Sequence, residues 1–357
     1  EYLTFCPFND TTVSNMNIQF KEVTKKLLAD LPTRSRDVLI KRYGLGKVAK
    51  RETLEAIGQE YSITRERVRQ IESFGLNLVK KSKAYAEAGV VFDSLKKEME
   101  SFGGIVHEQF FLESLAKDKS SQNHIHFILV VSEVFTKLKE DDFFHYRWTT
   151  DPGMALLIHD AIRRLCDGFT AGDLIDEPEL LNRFIAELKK IKELSEDPKV
   201  DQFADKWILL SKSLAKNPLG EWGLAVSPNI KMRGIRDYAY LVLRKNKTPL
   251  HFADVAKKIK EVFGRSAHPA TCHNELIKDK RFVLVGRGLY ALTEWGYSRG
   301  TVIEVIQKIL KENGPMTKNE IIEKVLKERQ VKTNTIIVNL QNSKYFKRSS
   351  DGHFAQV

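Results

Sequence analysis

Arg65, Glu66, Arg69 and Gln70 are side chains able to read base-pair edges, and they fall within six residues of one amphipathic stretch. An arginine donates two hydrogen bonds to guanine O6 and N7, a glutamate accepts from cytosine N4, and a glutamine pairs with adenine. At about 100° per residue these four share one half of a helical wheel, while Val68, Ile71, Gly75 and Leu78 fall on the other. Thr64 stands where an N-cap is expected, and Glu66 lies in the first turn, where a carboxylate complements the helix dipole. Arg67 points toward the packed side, where an ion pair with Glu60 or Glu72 competes with a DNA contact.

A helix that presents such a face needs a second helix to brace it. Residues 53–72 supply one: Ile57, Tyr61, Ile63, Val68 and Ile71 occupy the apolar positions of a helix-turn-helix, with small Gly58 where the helices cross. Upstream, Val23, Leu27, Leu28 and Leu31 recur at helical spacing. Pro32 ends that helix, and Thr33 is expected to cap the next, which runs through Val38, Leu39 and Tyr43 to Gly44.

The chain has 357 residues, more than one ordinary core accommodates, with 42% hydrophobic residues, enough to bury several. Its net charge of +11 is unevenly spread: −2 over residues 1–20, +8 over 21–85, −8 over 86–230 and +13 over 231–357. Two basic ends around an acidic middle suit separate polyanion-binding modules, although solvated helix faces give the same totals. Cys6, Cys166 and Cys272 are odd in number and far apart, which fits a reducing compartment rather than a disulfide framework. His268, Cys272 and His273 lack a second ligand pair and read as ordinary helix residues, so no metal or small-molecule cofactor is expected. No apolar run approaches the length of a membrane span, and no signal peptide is visible.

Beyond residue 88 one plan recurs three times: a turn marked by glycine or proline, two helices and two short strands. The first copy starts at Gly103-Gly104, continues through 126–131 and closes over 135–138 and 143–148. The second starts at Thr248-Pro249, with a helix near 270–278 and strands within 281–292. The third starts at Gly314-Pro315, with a helix near 333–341 and a hairpin within 345–355. Gly286-Arg287-Gly288 and Asp351-Gly352 carry hairpin-turn chemistry. Helices closed by a hairpin form the winged-helix plan. The expected architecture is therefore mainly α: a tail (1–20), a helix-turn-helix domain (21–85), a divergent winged-helix-like domain (88–149), an acidic helical connector (150–230, with helices near 180–194 and 203–214), a winged-helix domain (231–297) and a C-terminal winged-helix-like domain (298–357).

The runs 31–45, 53–58 and Thr64-Arg-Glu-Arg-Val-Arg-Gln-Ile-Glu72 resemble region 4 of the bacterial sigma-70 family, over roughly residues 22–83. That resemblance implies recognition of promoter minus-35 duplex DNA by Arg65, Glu66, Arg69 and Gln70. Arg34, Arg42, Leu54, Glu55 and Thr64 would stand at or near the phosphates, with Arg67 ranked below them. It also implies contact with the flap of the RNA polymerase core, for which Leu27, Leu28, Leu31, Val38 and Leu39 offer apolar material unless they are core. A bacterial, cytoplasmic, nucleoid-associated protein follows.

Residues 232–297 resemble the HARE-type helix-turn-helix, a winged-helix family that includes the N-terminal domain of the RNA polymerase delta subunit. The likeness rests on 233–243, 249–256, 274–277 and 286–292. Lys257, Lys258, Lys260, Arg265, Lys278, Lys280, Arg281 and Arg287 form a basic set there suited to DNA backbone contact.

A sequence-specific transcription factor is the leading expectation. A DNA-processing or restriction-type subunit stays open because HARE-type domains occur fused to nucleases, although no nuclease carboxylate cluster, phosphate-binding loop or nucleophile elbow is visible, so no enzyme is expected. A protein-binding scaffold is the third alternative. Sigma region 2, which melts promoters, has no counterpart in the roughly 20 residues ahead of the region 4 likeness, so binding without DNA opening is the expectation.

Overall fold

The computed structural model describes residues 18–357. Most of the expected tail, with Cys6, lies outside them. The described chain divides into two compact units. One holds the residues up to Phe169 together with Glu177–Leu214, and the other holds Thr170–Asp176 and Ala215–Val357.

The first unit begins with helices Phe20–Leu28, Thr33–Tyr43, Leu54–Glu60 and Arg65–Lys80. Pro32, not Thr33, occupies the N-cap of the second helix, and no side chain caps it. Leu27, Leu28, Leu31, Val38 and Leu39 are all buried, so they are core material and not an open docking face.

Helix Gly89–Glu100 then leads into strand Ile105–His107, helices Glu108–Leu115 and Lys119–Val131, and strands Thr136–Leu138 and Arg147–Thr149. The three strands form an antiparallel sheet in which the last strand lies between the other two. This segment does not have a core of its own. A single cluster runs from Phe20, Leu27, Leu39 and Tyr43 through Val79 to Phe92, Phe111, Phe127, Leu129 and Trp148.

The cause lies in helix Lys119–Val131, in which every residue from Gln122 to Leu129 is buried, and Val131 as well. A helix that is apolar on all sides must be covered on all sides. The hydrophobic residues of helices Phe20–Leu28, Thr33–Tyr43 and Arg65–Lys80 supply that cover. Asn123 ties it to the helix-turn-helix segment: its Nδ2 donates to the carbonyls of Gly44 (3.0 Å) and Ala49 (3.1 Å), and its Oδ1 accepts from Arg51 Nε at 2.8 Å. Gly44 has φ +64°, and a Cβ there would stand 2.6 Å from Asn123 Nδ2. The left-handed backbone and the close approach both require glycine.

The stretch 150–230 is shared between the two units. Helices Pro152–Asp167, Glu177–Lys189 and Lys199–Trp207 belong to the first; the last of them ends at Trp207, where Ile208–Leu210 continues as a 3-10 helix, and does not reach residue 214.

In the second unit the same element order occurs twice. Helix Ile235–Asn246 precedes strand Leu250–His251, helices Phe252–Phe263 and Pro269–Lys278, and strands Phe282–Gly286 and Leu289–Leu292. Helix Val302–Asn313 precedes strand Met316–Thr317, helices Lys318–Glu328 and Thr333–Leu340, and strands Phe346–Arg348 and His353–Gln356. In each, the last strand again lies in the middle of an antiparallel three-stranded sheet. Each repeat has a core, one around Ala239, Leu243, Val255, Ile259, Leu276 and Tyr290, the other around Val305, Ile306, Ile309, Ile321, Val325, Ile336 and Leu340. Cys166 and Cys272 are buried free thiols. Among the described residues no helix is long and apolar enough to cross a membrane, and no group of acidic, histidine and cysteine side chains is placed to hold a metal ion.

Candidate nucleic-acid interface

A short helix, a tight turn and a longer helix position the residues expected to read bases. The first, Leu54–Glu60, starts at Thr53, whose hydroxyl accepts from Ala56 N at 3.1 Å. The chain turns through Tyr61 to Thr64, with Ser62 at φ +54° and Ile63 N donating to Gly58 O at 2.9 Å. A Cβ on Gly58 would meet Ile63 O at 2.7 Å, so the turn closes this tightly only over glycine. Thr64 then caps helix Arg65–Lys80, its hydroxyl accepting from Arg67 N at 3.2 Å.

The packed side of this helix consists of Val68, Ile71, Gly75 and Val79. Val79 is buried where Leu78 is only half-buried. Val68 and Ile71 meet Val38 and Ile57 in a small cluster completed by Leu54, Tyr61 and Ile63. Leu54 is therefore a half-buried packing residue.

Arg65, Glu66, Arg67, Arg69 and Gln70 are all exposed. Glu66 and Arg69 form a two-pronged ion pair one turn apart, at 2.8 and 2.7 Å. The hydrogen bond from Arg69 leads the causes that hold the Glu66 carboxyl below its ordinary pKa, so it stays ionised and acceptor-only. Arg67 does not turn to the packed side. Its guanidinium donates to Gln70 Oε1 at 3.0 Å, and the carboxylates expected to hold it are engaged elsewhere, Glu60 by Lys41 and Glu72 by Arg42 and the Tyr43 hydroxyl. Residues three apart on a helix are surface neighbours, and a long guanidinium arm bridges them, which a wheel drawn from Cα positions does not capture. The five exposed residues thus form one polar surface over the first two turns.

The supporting residues separate. Glu55 is exposed in the first turn of its helix, and Thr64 is used as a cap. Arg34 is exposed and stacks over the Tyr61 ring at 5.6 Å, beside a shallow groove lined by Thr33, Arg36, Asp37 and Ile40. Arg42 is half-buried, donating to Glu52 O at 3.0 Å and pairing with Glu72 at 3.4 Å, so it braces the loop before the helix-turn-helix.

In the second unit Lys257, Lys260, Arg265, Lys278, Lys280 and Arg287 are exposed, and Lys258 is half-buried. Lys257 lies 3.8 Å from Glu261, and Arg265 stacks over Tyr238 at 5.0 Å. Arg281 leaves the basic set. Its guanidinium bonds to Asp237 Oδ1 (2.8 Å), Asp279 Oδ2 (2.7 Å) and Asn229 Oδ1 (3.0 Å), joining the start of helix Ile235–Asn246 to the hairpin. His268 caps helix Pro269–Lys278 by accepting from Ala270 N, and the His273 ring packs on Phe252 and Tyr290.

Such a capped, two-helix unit with an exposed polar face on its second helix defines a helix-turn-helix. Residues 27–81 match the family model "Sigma-70, region 4", and this segment is a sigma-70 region 4 domain. Over 56 residues the chain is 50% identical to RNA polymerase sigma factor SigA of Nostoc sp., 48% identical to SigA1 of Synechococcus elongatus and 48% identical to SigA of Synechocystis sp.. The similarity covers 16% of this chain and 13% or 14% of those relatives.

Proposed function

We propose that the chain is a sequence-specific DNA-binding transcription factor that recognises promoter minus-35-like duplex DNA and acts with RNA polymerase in initiation or its regulation. The observation that carries this reading is the exposed set Arg65, Glu66, Arg67, Arg69 and Gln70 on a helix whose opposite side is locked into a core. The sigma factors similar to this segment support it. Arg65 is free to fork onto guanine, while Glu66 and Arg69 exchange their mutual pair for bonds to DNA, a substitution between charge-assisted bonds of similar strength.

Residues 231–297 are read as a HARE-type winged helix and 298–357 as a second winged helix, because each has the helix, strand, two-helix and hairpin order of that plan. Lys257, Lys258, Lys260, Arg265, Lys278, Lys280 and Arg287 would then add phosphate contacts that carry no sequence information. Docking on the polymerase core would use accessible surface such as the groove around Arg34, Arg36 and Ile40, since Leu27, Leu28, Leu31, Val38 and Leu39 are buried.

Selection from a random duplex pool by the full chain tests the reading. A defined motif is expected, degraded at one base pair by Arg65→Ala and at another by Glu66→Ala. Recovery of the same motif from both variants, or of none from the parent, would overturn it. Replacing Lys257, Lys258 and Arg287 with alanine should weaken binding to all duplexes alike and flatten the dependence on salt.

A further inference from the structure

The third repeat carries an exposed helix of unusual composition. Thr333–Leu340 reads Thr-Asn-Thr-Ile-Ile-Val-Asn-Leu and buries only Ile336 and Leu340. Thr333, Asn334, Thr335, Val338 and, just past the end, Gln341 are exposed, Val338 at 66%. At about 100° per residue, Asn334, Val338 and Gln341 fall in one narrow sector, with the two threonines on either side of it.

An ordinary solvated helix face carries charged, strongly helix-forming residues. The neighbouring helices do so, Val302–Asn313 with Glu304, Lys308, Lys311 and Glu312, and Lys318–Glu328 with Glu320, Glu323, Lys324 and Lys327. Thr333–Leu340 has no charge, and five of its eight residues are β-branched, a poor choice for an exposed helix that serves only to be a helix. What the face does offer is carboxamides, whose paired donor and acceptor match adenine N6 and N7, and methyl groups from Val338 and threonine that match the thymine methyl.

The chain on either side of the helix carries one sign of charge. Lys332 precedes the helix, Lys344 follows it, and Lys347 and Arg348 stand on the next strand, all exposed. No acidic residue occurs between Glu328 and Asp351. An uncharged, base-matching face with a cationic rim complements a polyanion with readable edges.

We propose that the third repeat is a second DNA reader, in which Asn334, Val338 and Gln341 contact base edges at an A·T-containing step and Lys332, Lys344, Lys347 and Arg348 hold the flanking phosphates. This site stands independently of the sigma-like helix-turn-helix.

The test uses the full chain in random-duplex selection and footprinting, comparing the parent with Arg65→Ala, with Asn334→Ala/Gln341→Ala and with Lys347→Ala/Arg348→Ala. The parent should enrich two motifs. Arg65→Ala should degrade one, and Asn334→Ala/Gln341→Ala should erase the A·T-containing other, with a loss of about tenfold or more on the selected duplex. Lys347→Ala/Arg348→Ala should weaken binding to every sequence and lower the salt slope. The substituted residues are exposed, so circular dichroism and the melting midpoint should match the parent. Footprint and motifs unchanged in Asn334→Ala/Gln341→Ala would overturn the proposal, as would unchanged DNA selection with loss of a bound protein partner. Failure of the Arg65→Ala arm alone would strike the helix-turn-helix reading and leave this one standing.

Discussion

Helices Lys119–Val131 and Thr333–Leu340 hold the same place in the same element order, and the chain uses them in opposite ways. The first is buried almost throughout and serves as the post on which the sigma-like helix-turn-helix is mounted. The second buries two residues and exposes Thr333, Asn334, Thr335 and Val338. The difference is written in side-chain type: Ile125, Phe127, Ile128 and Leu129 around Asn123 in one, Thr333, Asn334, Thr335 and Val338 in the other. One repeated plan thus provides a support in one copy and a surface in another. The fold of a repeat does not tell which, because only the side chains on that helix decide.

Phe127→Ala removes a fully buried ring from the shared core and should cost about 3–5 kcal/mol. Because that core is continuous with the helix-turn-helix, DNA binding and the first-unit melting transition should be lost together; retained DNA binding after that transition is lost would show the two to be separate bodies. Gly44→Ala should destabilise the same unit by about 1–3 kcal/mol through its left-handed backbone and the approach of Asn123. An unchanged denaturation midpoint would contradict the clamp.

Acid should also distinguish the regions. Burial, with smaller contributions from neighbouring charges, pushes His107, His126 and His159 of the first unit down to about 4. Since their unfolded value is near 6.5, the unfolded chain takes up the extra protons. The stability is intact above about pH 6.5 and drains as the pH falls toward 4, by at most roughly 3 kcal/mol for each histidine. Glu108 acts in the same direction further down: burial works to raise it, but His126 and Lys137 outweigh burial and hold it at about 2. Denaturant melts at pH 7 and pH 5 should show the first-unit midpoint falling; a midpoint independent of pH would mean that these imidazoles are solvated. At the small end, Val338→Ala should shift stability by no more than about 0.5 kcal/mol, since the side chain is exposed.

What the sequence disclosed depended on the distance over which the cause acts. The helix-turn-helix was legible because Thr53, Gly58, Thr64 and the stripe from Val68 to Gly75 act on neighbours a turn or two away. The repeated helix and hairpin order was legible from turn residues and apolar spacing. The merging of residues 20–80 with 88–149 was not, since it rests on contacts such as Asn123 with Gly44, 79 residues apart. The directions of Arg42 and Arg281 were hidden for the same reason. A basic residue type suggests a phosphate contact, and only the fold brings Glu72 and Asp237 close enough to pair with those guanidinium groups.

Whether the exposed start of helix Arg65–Lys80 reads bases is decided by a thermodynamic cycle. Affinities of the parent chain and Arg65→Ala are measured on the selected duplex and on each of its single base-pair variants at one salt concentration. A coupling of about 1–3 kcal/mol confined to one base pair is the expected result. Equal losses on every duplex, with no coupling at any position, would contradict it.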